Sequence, residues 1–132
     1  MLGIDTNVLV RFLVQDDVAQ FEKAFKLIKR EVAAGRRVFA NQLVLMEAEC
    51  VLHSRYALPK NQIIAAISGL LNAIDVQFED EPTIEEALFL WMDITAAFAD
   101  CLIGAKNRRM GCRLTATFDI KTSKLPGFVV AR

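Results

Sequence analysis

The sequence predicts a single α/β domain over residues 1–132, with a mostly parallel sheet covered by helices on both faces. Three observations predict it. Short apolar runs alternate with longer segments of helical period, the order that parallel strands joined by crossover helices require. Hydrophobic residues make up 54% of the 132-residue chain and mean hydropathy is +0.31 despite 24% charged residues, so several faces are expected to be buried or covered by a partner. No repeat, linker or low-complexity stretch divides the chain, whose length suffices for a core of its own.

The elements follow in order. Residues 2–4, LGI, form a short apolar strand that ends at Asp5, and the NVLVRFLV after it fits either a strand or a short buried helix. From Asp16 or Asp17 the apolar residues Val18, Phe21, Phe25, Ile28 and Val32 recur at spacings of three and four, predicting an amphipathic helix with Gly35 at its C-cap. RVFAN is a second strand. LVLMEAECVLHSRY, apolar on more than one face, is a centrally packed helix with Glu47 embedded in it. Pro59 separates it from a helix over PKNQIIAAISGLLNA, and VQF at 76–78 is a third strand. Thr83 and Glu86 have capping-box spacing, so a helix is expected to start near Ile84. In ALFLWMDI, Phe89, Trp91 and Met92 cannot all face one small core; either the helix is central or one side meets a second subunit or a partner helix. FADCLIGAKNRRM is the last long helix, stopped by Gly111, RLTATF is a β-branched strand running into Asp119, and FVV closes the chain as an edge strand.

Charge and motif content exclude several classes. Sixteen Lys and Arg balance sixteen Asp and Glu, which rules out a strongly basic protein that coats nucleic acid while leaving a local basic patch open. Cys50, Cys101 and Cys112 are odd in number, lie in apolar surroundings and lack paired short spacing, so they are expected as buried free thiols in a reducing compartment. There is no cationic region ahead of an apolar run and no stretch of about 20 apolar residues, so no signal peptide or membrane span is expected, and the location is read as cytoplasmic. His53 is the only histidine, which excludes a two-histidine nuclease mechanism. Gly-rich phosphate loops and Gly-x-Ser-x-Gly elbows are absent.

The chemistry lies in the carboxylates. Working crevices of open parallel sheets lie beyond the carboxyl ends of the strands, and LGID and RLTATFD each deliver an Asp there. If those strands are neighbours, Asp5 and Asp119 share a crevice, where a cation would relieve their repulsion. Glu47 and Asp100 each interrupt an apolar helix, Asp100 near a helix start where a carboxylate is electrostatically welcome. Taken singly, Asp100 can be an early-helix acid and Asp5 a turn residue. Taken together, four buried acids without four basic partners call for a cation. Oxygen-only ligands favour Mg²⁺ or Mn²⁺, which polarise a phosphoryl oxygen and acidify a bound water.

IDTNVLVRFL, VLMEAECVLHSRYAL, FADCLIGAKNRRMGC and TFDIKTSKLPGF resemble, in order and spacing, the motifs of PIN-domain nucleases, and most nearly the VapC-type toxins of bacterial toxin–antitoxin pairs. The resemblance runs almost the full length of the chain. It implies a three-layer α/β/α sandwich and a Mg²⁺- or Mn²⁺-dependent endoribonuclease in which Asp5, Glu47, Asp100 and Asp119 form the acidic site, supported through hydrogen bonds by Thr6, Asn7 and Thr117. It further implies an RNA substrate attacked by a metal-activated water, a cognate VapB-type antitoxin protein that blocks the crevice, and a homodimer. Two positions depart from the family pattern: Ala97 stands where many members carry an extra acid, and Cys50 where tryptophan is common. The first bears on a second metal, so one metal is expected and two are left open.

Arg11, Lys106, Arg108, Arg109 and Arg113, with Lys121 and Lys124, are candidates to hold RNA phosphates; singly, the cations after Asp100 fit a solvated helix end. The alternatives to a toxin are a catalytically silent PIN-fold RNA-binding or regulatory protein and a housekeeping RNA-processing PIN nuclease. Four intact acids favour activity, and the short chain without a zinc or RNA-binding module favours a toxin.

Overall fold

The computed structural model describes residues 1–132, which fall into two compact units, Met1–Glu79 and Asp80–Arg132. Every strand pairing is parallel and strands alternate with helices, which places the chain in the α/β class.

In the first unit, β1 (Leu2–Gly3), β2 (Val38–Ala40) and β3 (Gln77–Phe78) form a sheet in that order. The register pairs Leu2 with Val38 and Ala40 with Phe78, so Asp5, Asn41 and Glu79 follow their strands at equivalent positions along one edge. NVLVRFLV proves helical. Asp5 is extended (φ −92°) and its Oδ1 accepts the Val8 N–H at 3.1 Å, making it the N-cap of α1, Thr6–Leu13. A cap two residues past a two-residue strand turns the chain before a longer strand can form.

Asp17 likewise caps α2, Val18–Ala33, which ends at Ala34 with Gly35 left-handed after it (φ +75°). Its buried residues are Ala24 and Ile28, whereas Val18 and Phe25 are exposed, so the core stripe is rotated from the expected one. Phe25 instead lies against the Phe12 and Phe21 rings. Asn41 caps α3 (Gln42–Ser54) through the Val44 N–H at 2.9 Å, and α4, Lys60–Leu71, buries Ile63, Ile67 and Leu70.

The second unit holds α5 (Glu81–Met92), α6 (Phe98–Arg109), β4 (Thr115–Thr117), a 3₁₀ turn at Thr122–Lys124 and β5 (Phe128–Val130), with β4 beside β5. Apolar residues at helical spacing, Ile84, Ala87, Leu88 and Trp91 on α5 and Phe98, Cys101, Leu102 and Ala105 on α6, are buried, with the Trp91 and Phe98 rings 5.2 Å apart. Of the three thiols expected to be buried only Cys101 is, on this packed face; Cys50 and Cys112, on a solvent-facing side of α3 and past the end of α6, are exposed. Phe89 and Met92 are 72% and 56% exposed, so α5 has one uncovered apolar side. The expected helix start at Ile84 is corrected: α5 begins at Glu81, and Asp80, left-handed at φ +52°, precedes it. Thr83 is not the cap but a buried residue of the first turn, whose hydroxyl donates to Asp80 Oδ2 at 2.6 Å. Glu86 turns away to Arg108.

Candidate active site

Each unit assembles one pair of the predicted acids. In the first, the parallel register puts Asp5 and Asn41 side by side at the carboxyl edge, each capping the helix that leaves it. Glu47 lies on α3 with Leu43, Val44 and Val51, spacings that form one helix face, and that face lines a cavity of about 380 Å³ together with Asp5, Thr6, Asn7 and Asn41. The opposite face of α3 carries the core residues Leu45, Ala48, Glu49 and Leu52. The hydrogen bond that holds Asp5 comes from the Val8 amide, while Thr6 and Asn7 contribute as cavity walls.

In the second unit Asp100 stands in the first turn of α6, where the unpaired amides favour a negative charge. Its helix lacks a side-chain cap, since Ala97 occupies the N-cap position. Asp119 follows β4. Thr117 Oγ1 accepts the Asp119 N–H at 3.1 Å, and Asp119 Oδ1 accepts the amides of Lys121 and Thr122 at 2.8 and 3.3 Å. The Thr122 hydroxyl then donates to Asp100 Oδ2 at 3.4 Å, so one residue touches both carboxylates.

The premise that these acids are buried is corrected. Asp5, Glu47 and Asp119 are exposed and only Asp100 is half-buried. Strands of two and three residues leave the acids past their ends, on caps and turns rather than inside the sheet. The buried acid of α3 is Glu49, 9% exposed, and burial pushes its carboxyl above the ordinary range against the opposing pull of the Cys50 thiol and His53.

Most of the basic cluster is engaged by local partners. Lys106 pairs with Asp80 at 3.3 Å, and Arg108 grips Glu86 at 3.0 Å and the Pro126 carbonyl at 3.1 Å. Arg109 approaches the same Glu86 at 3.9 Å, and Arg11 is held by Asp16 and Tyr56. On α6 three cations thus share two acids, Asp80 and Glu86, while Arg113, Lys121 and Lys124 are exposed.

Sequence reasoning passed over Asn41, Glu79 and Thr122. Asn41 had a readable signal, since FANQLVL repeats the strand-cap-helix grammar of GIDTNVL. Glu79 Oε1 accepts the Gln42 N–H at 3.0 Å, a contact between strand edge and helix start that only the register creates. Thr122 gave no signal at all.

No three His, Cys, Asp or Glu side chains stand together as a metal-holding group. Each unit nevertheless presents a pair of carboxylates with no nitrogen or sulfur ligand, the donor chemistry of a hard cation that keeps most of its waters and takes one or two direct carboxylates. The chain is thus an α/β protein whose two units each present a pair of carboxylates past a strand end, on a helix face or in a helix's first turn.

The chain belongs to the PIN-domain family, whose model matches residues 3–127. It is 27% identical over 124 residues to a VapC ribonuclease of Aquifex aeolicus, covering 92% of this chain and 90% of that relative. Among solved structures it is similar to VapC20 of Mycobacterium tuberculosis, described as a toxin that cleaves the sarcin–ricin loop, at 22% identity and a TM-score of 0.42, covering 100% of this chain and 99% of that one. No helix is long and apolar enough to cross a membrane.

Proposed function

We propose that the chain is a VapC-like toxin, a metal-dependent endoribonuclease with Asp5, Glu47, Asp100 and Asp119 as its acidic residues and Mg²⁺ or Mn²⁺ as its cofactor. The observation that carries the reading is the family match across residues 3–127, within which the four acids lie past strand ends, on a cavity wall and in a helix's first turn. The Aquifex aeolicus relative, a VapC ribonuclease, supports the RNA substrate. Because that match spans both compact units, it also supports a single functional domain over 1–132.

A bound divalent cation supplies polarisation of a phosphoryl oxygen and a water of lowered pKa. The chain's own residues do the positioning. The Val8 amide orients Asp5, the Lys121 and Thr122 amides orient Asp119, and Thr117 fixes the backbone between strand and carboxylate. Asp5, Asp100 and Asp119 thus each have one oxygen engaged by the protein. Lys121 and Lys124, exposed and within five residues of Asp119, are better placed to meet RNA phosphates at the second pair than Lys106, Arg108 and Arg109, which pair with Asp80 and Glu86 toward the other end of α6. A VapB-type antitoxin and a second copy of the chain complete the reading, supported by the exposed Phe89 and Met92 side of α5, and the location is cytoplasmic.

The test incubates purified protein with total RNA, with and without Mg²⁺ or Mn²⁺, beside Asp5→Asn. Cleavage is expected only from the wild-type protein with metal. Equal cleavage by both proteins would overturn the site, and no cleavage of any RNA would overturn the activity.

A further inference from the structure

We infer that Thr122 is a positioning residue that sets Asp100 and Asp119 in register with one another; the assignment rests on the acidic-site reading above. Thr122 is 4% exposed, although Phe118, Asp119, Ile120 and Lys121 immediately before it are all exposed. A hydroxyl is costly to bury without a partner, and this one has Asp100 Oδ2 at 3.4 Å, long for an O–H···O bond but held in place by the residue's other contacts. Those contacts are on the backbone. Its N–H donates to Asp119 Oδ1 at 3.3 Å, and the Leu125 N–H donates to its carbonyl at 3.0 Å, closing the 3₁₀ turn.

The geometry has a chemical consequence. A 3₁₀ turn following β4 and a helix packed on α5 are separate elements, and Thr122 is the residue that ties a carboxylate of one to a carboxylate of the other. Through it, Asp100 uses Oδ2 and Asp119 uses Oδ1 for protein donors, which would fix the orientation of both carboxylates toward a cation that they hold. Partners that orient metal ligands in this way are typically worth about 10–100-fold in metal affinity or activity.

The experiment titrates Mn²⁺ into the full-length protein, following free Mn²⁺ by electron paramagnetic resonance, and measures RNA cleavage in parallel. Thr122→Val keeps shape and the backbone bonds but removes the hydroxyl; it is expected to weaken Mn²⁺ binding about tenfold or more, whereas Thr122→Ser stays near wild type. In the Asp100→Asn background Thr122→Val is expected to add no further loss, because the hydroxyl acts through that carboxylate; a purely structural role would add its own effect. Should Thr122→Val fail to fold, Thr122→Ser against Thr122→Ala isolates the same hydroxyl. Wild-type Mn²⁺ affinity in Thr122→Val, or equal affinity in the Ser and Ala variants, overturns the assignment alone. Absence of Mn²⁺ binding by the wild-type protein overturns the acidic-site reading, and this assignment with it.

Discussion

Asp5 is both a helix cap and a proposed metal ligand, and two substitutions separate these roles. Its Oδ1 accepts the Val8 N–H at 3.1 Å, a bond that an Asn carbonyl reproduces and Ala cannot. As N-caps Asn and Asp are nearly equivalent, while replacement by Ala costs about 1 kcal/mol. With an unfolding entropy of about 2.1 cal/mol/K per residue, the 132 residues carry roughly 0.28 kcal/mol/K, so Asp5→Ala lowers Tm by roughly 4 °C in a single cooperative transition. Asp5→Asn leaves Tm within about 1 °C of wild type, because it keeps the cap and loses only an exposed charge. Both variants lose RNA cleavage, since both remove the negative charge. Thermal unfolding by circular dichroism and a gel-based cleavage assay read the two effects separately. An Asp5→Asn protein that still cleaves, or one destabilised as much as Asp5→Ala, would refute the reasoning.

Three further outcomes follow from the structure. Burial raises the Glu49 carboxyl's pKa, so the native state holds that proton more tightly than the unfolded chain, and the contribution of Glu49 to stability declines as pH rises from the ordinary carboxylate range through the raised value. Glu49→Gln should abolish that decline and be more stable than wild type at neutral pH in urea titrations; a variant less stable there contradicts the assignment. A Cβ on Gly104 would lie 2.5 Å from Phe128 Cε2, so Gly104→Ala should destabilise by about 1–3 kcal/mol despite its better helix propensity. Adding Phe128→Leu should recover much of the loss, and a stabilised Gly104→Ala protein would rule the clash out. Ala97 leaves α6 without a side-chain cap, so Ala97→Ser should raise stability by about 1 kcal/mol, and an unchanged urea midpoint would count against the helix start.

Local chemistry was legible because it depends on neighbours in the chain. The strands ahead of Asp5 and Asp119, the Asp17 start and Gly35 stop of α2, and strands within RVFAN, VQF and RLTATF all follow from patterning and turn residues, although β1 to β4 are each shorter than the runs that announce them. The four acids were legible for the same reason, as carboxylates interrupting apolar runs. NVLVRFLV was ambiguous because periodicity cannot separate a short buried strand from a short helix, and the Asp5 cap bond decides it. The capping-box expectation at Thr83 failed because Asp80 adopts a left-handed conformation and takes the Thr83 hydroxyl, a backbone choice that spacing does not encode.

By itself the sequence determined the α/β class and the alternation of strands with helices and put forward the four acids as candidates, since these rest on residue type and spacing. Only the tertiary structure decided which side of α3 meets solvent, placing Glu47 on a cavity and Glu49 in the core two residues away. It alone showed Lys106, Arg108 and Arg109 sharing Asp80 and Glu86, and the acids exposed rather than buried. The physical reason is that burial, ion pairing and the Asp100–Thr122–Asp119 linkage join residues distant in sequence, and are set by packing and register rather than by local pattern.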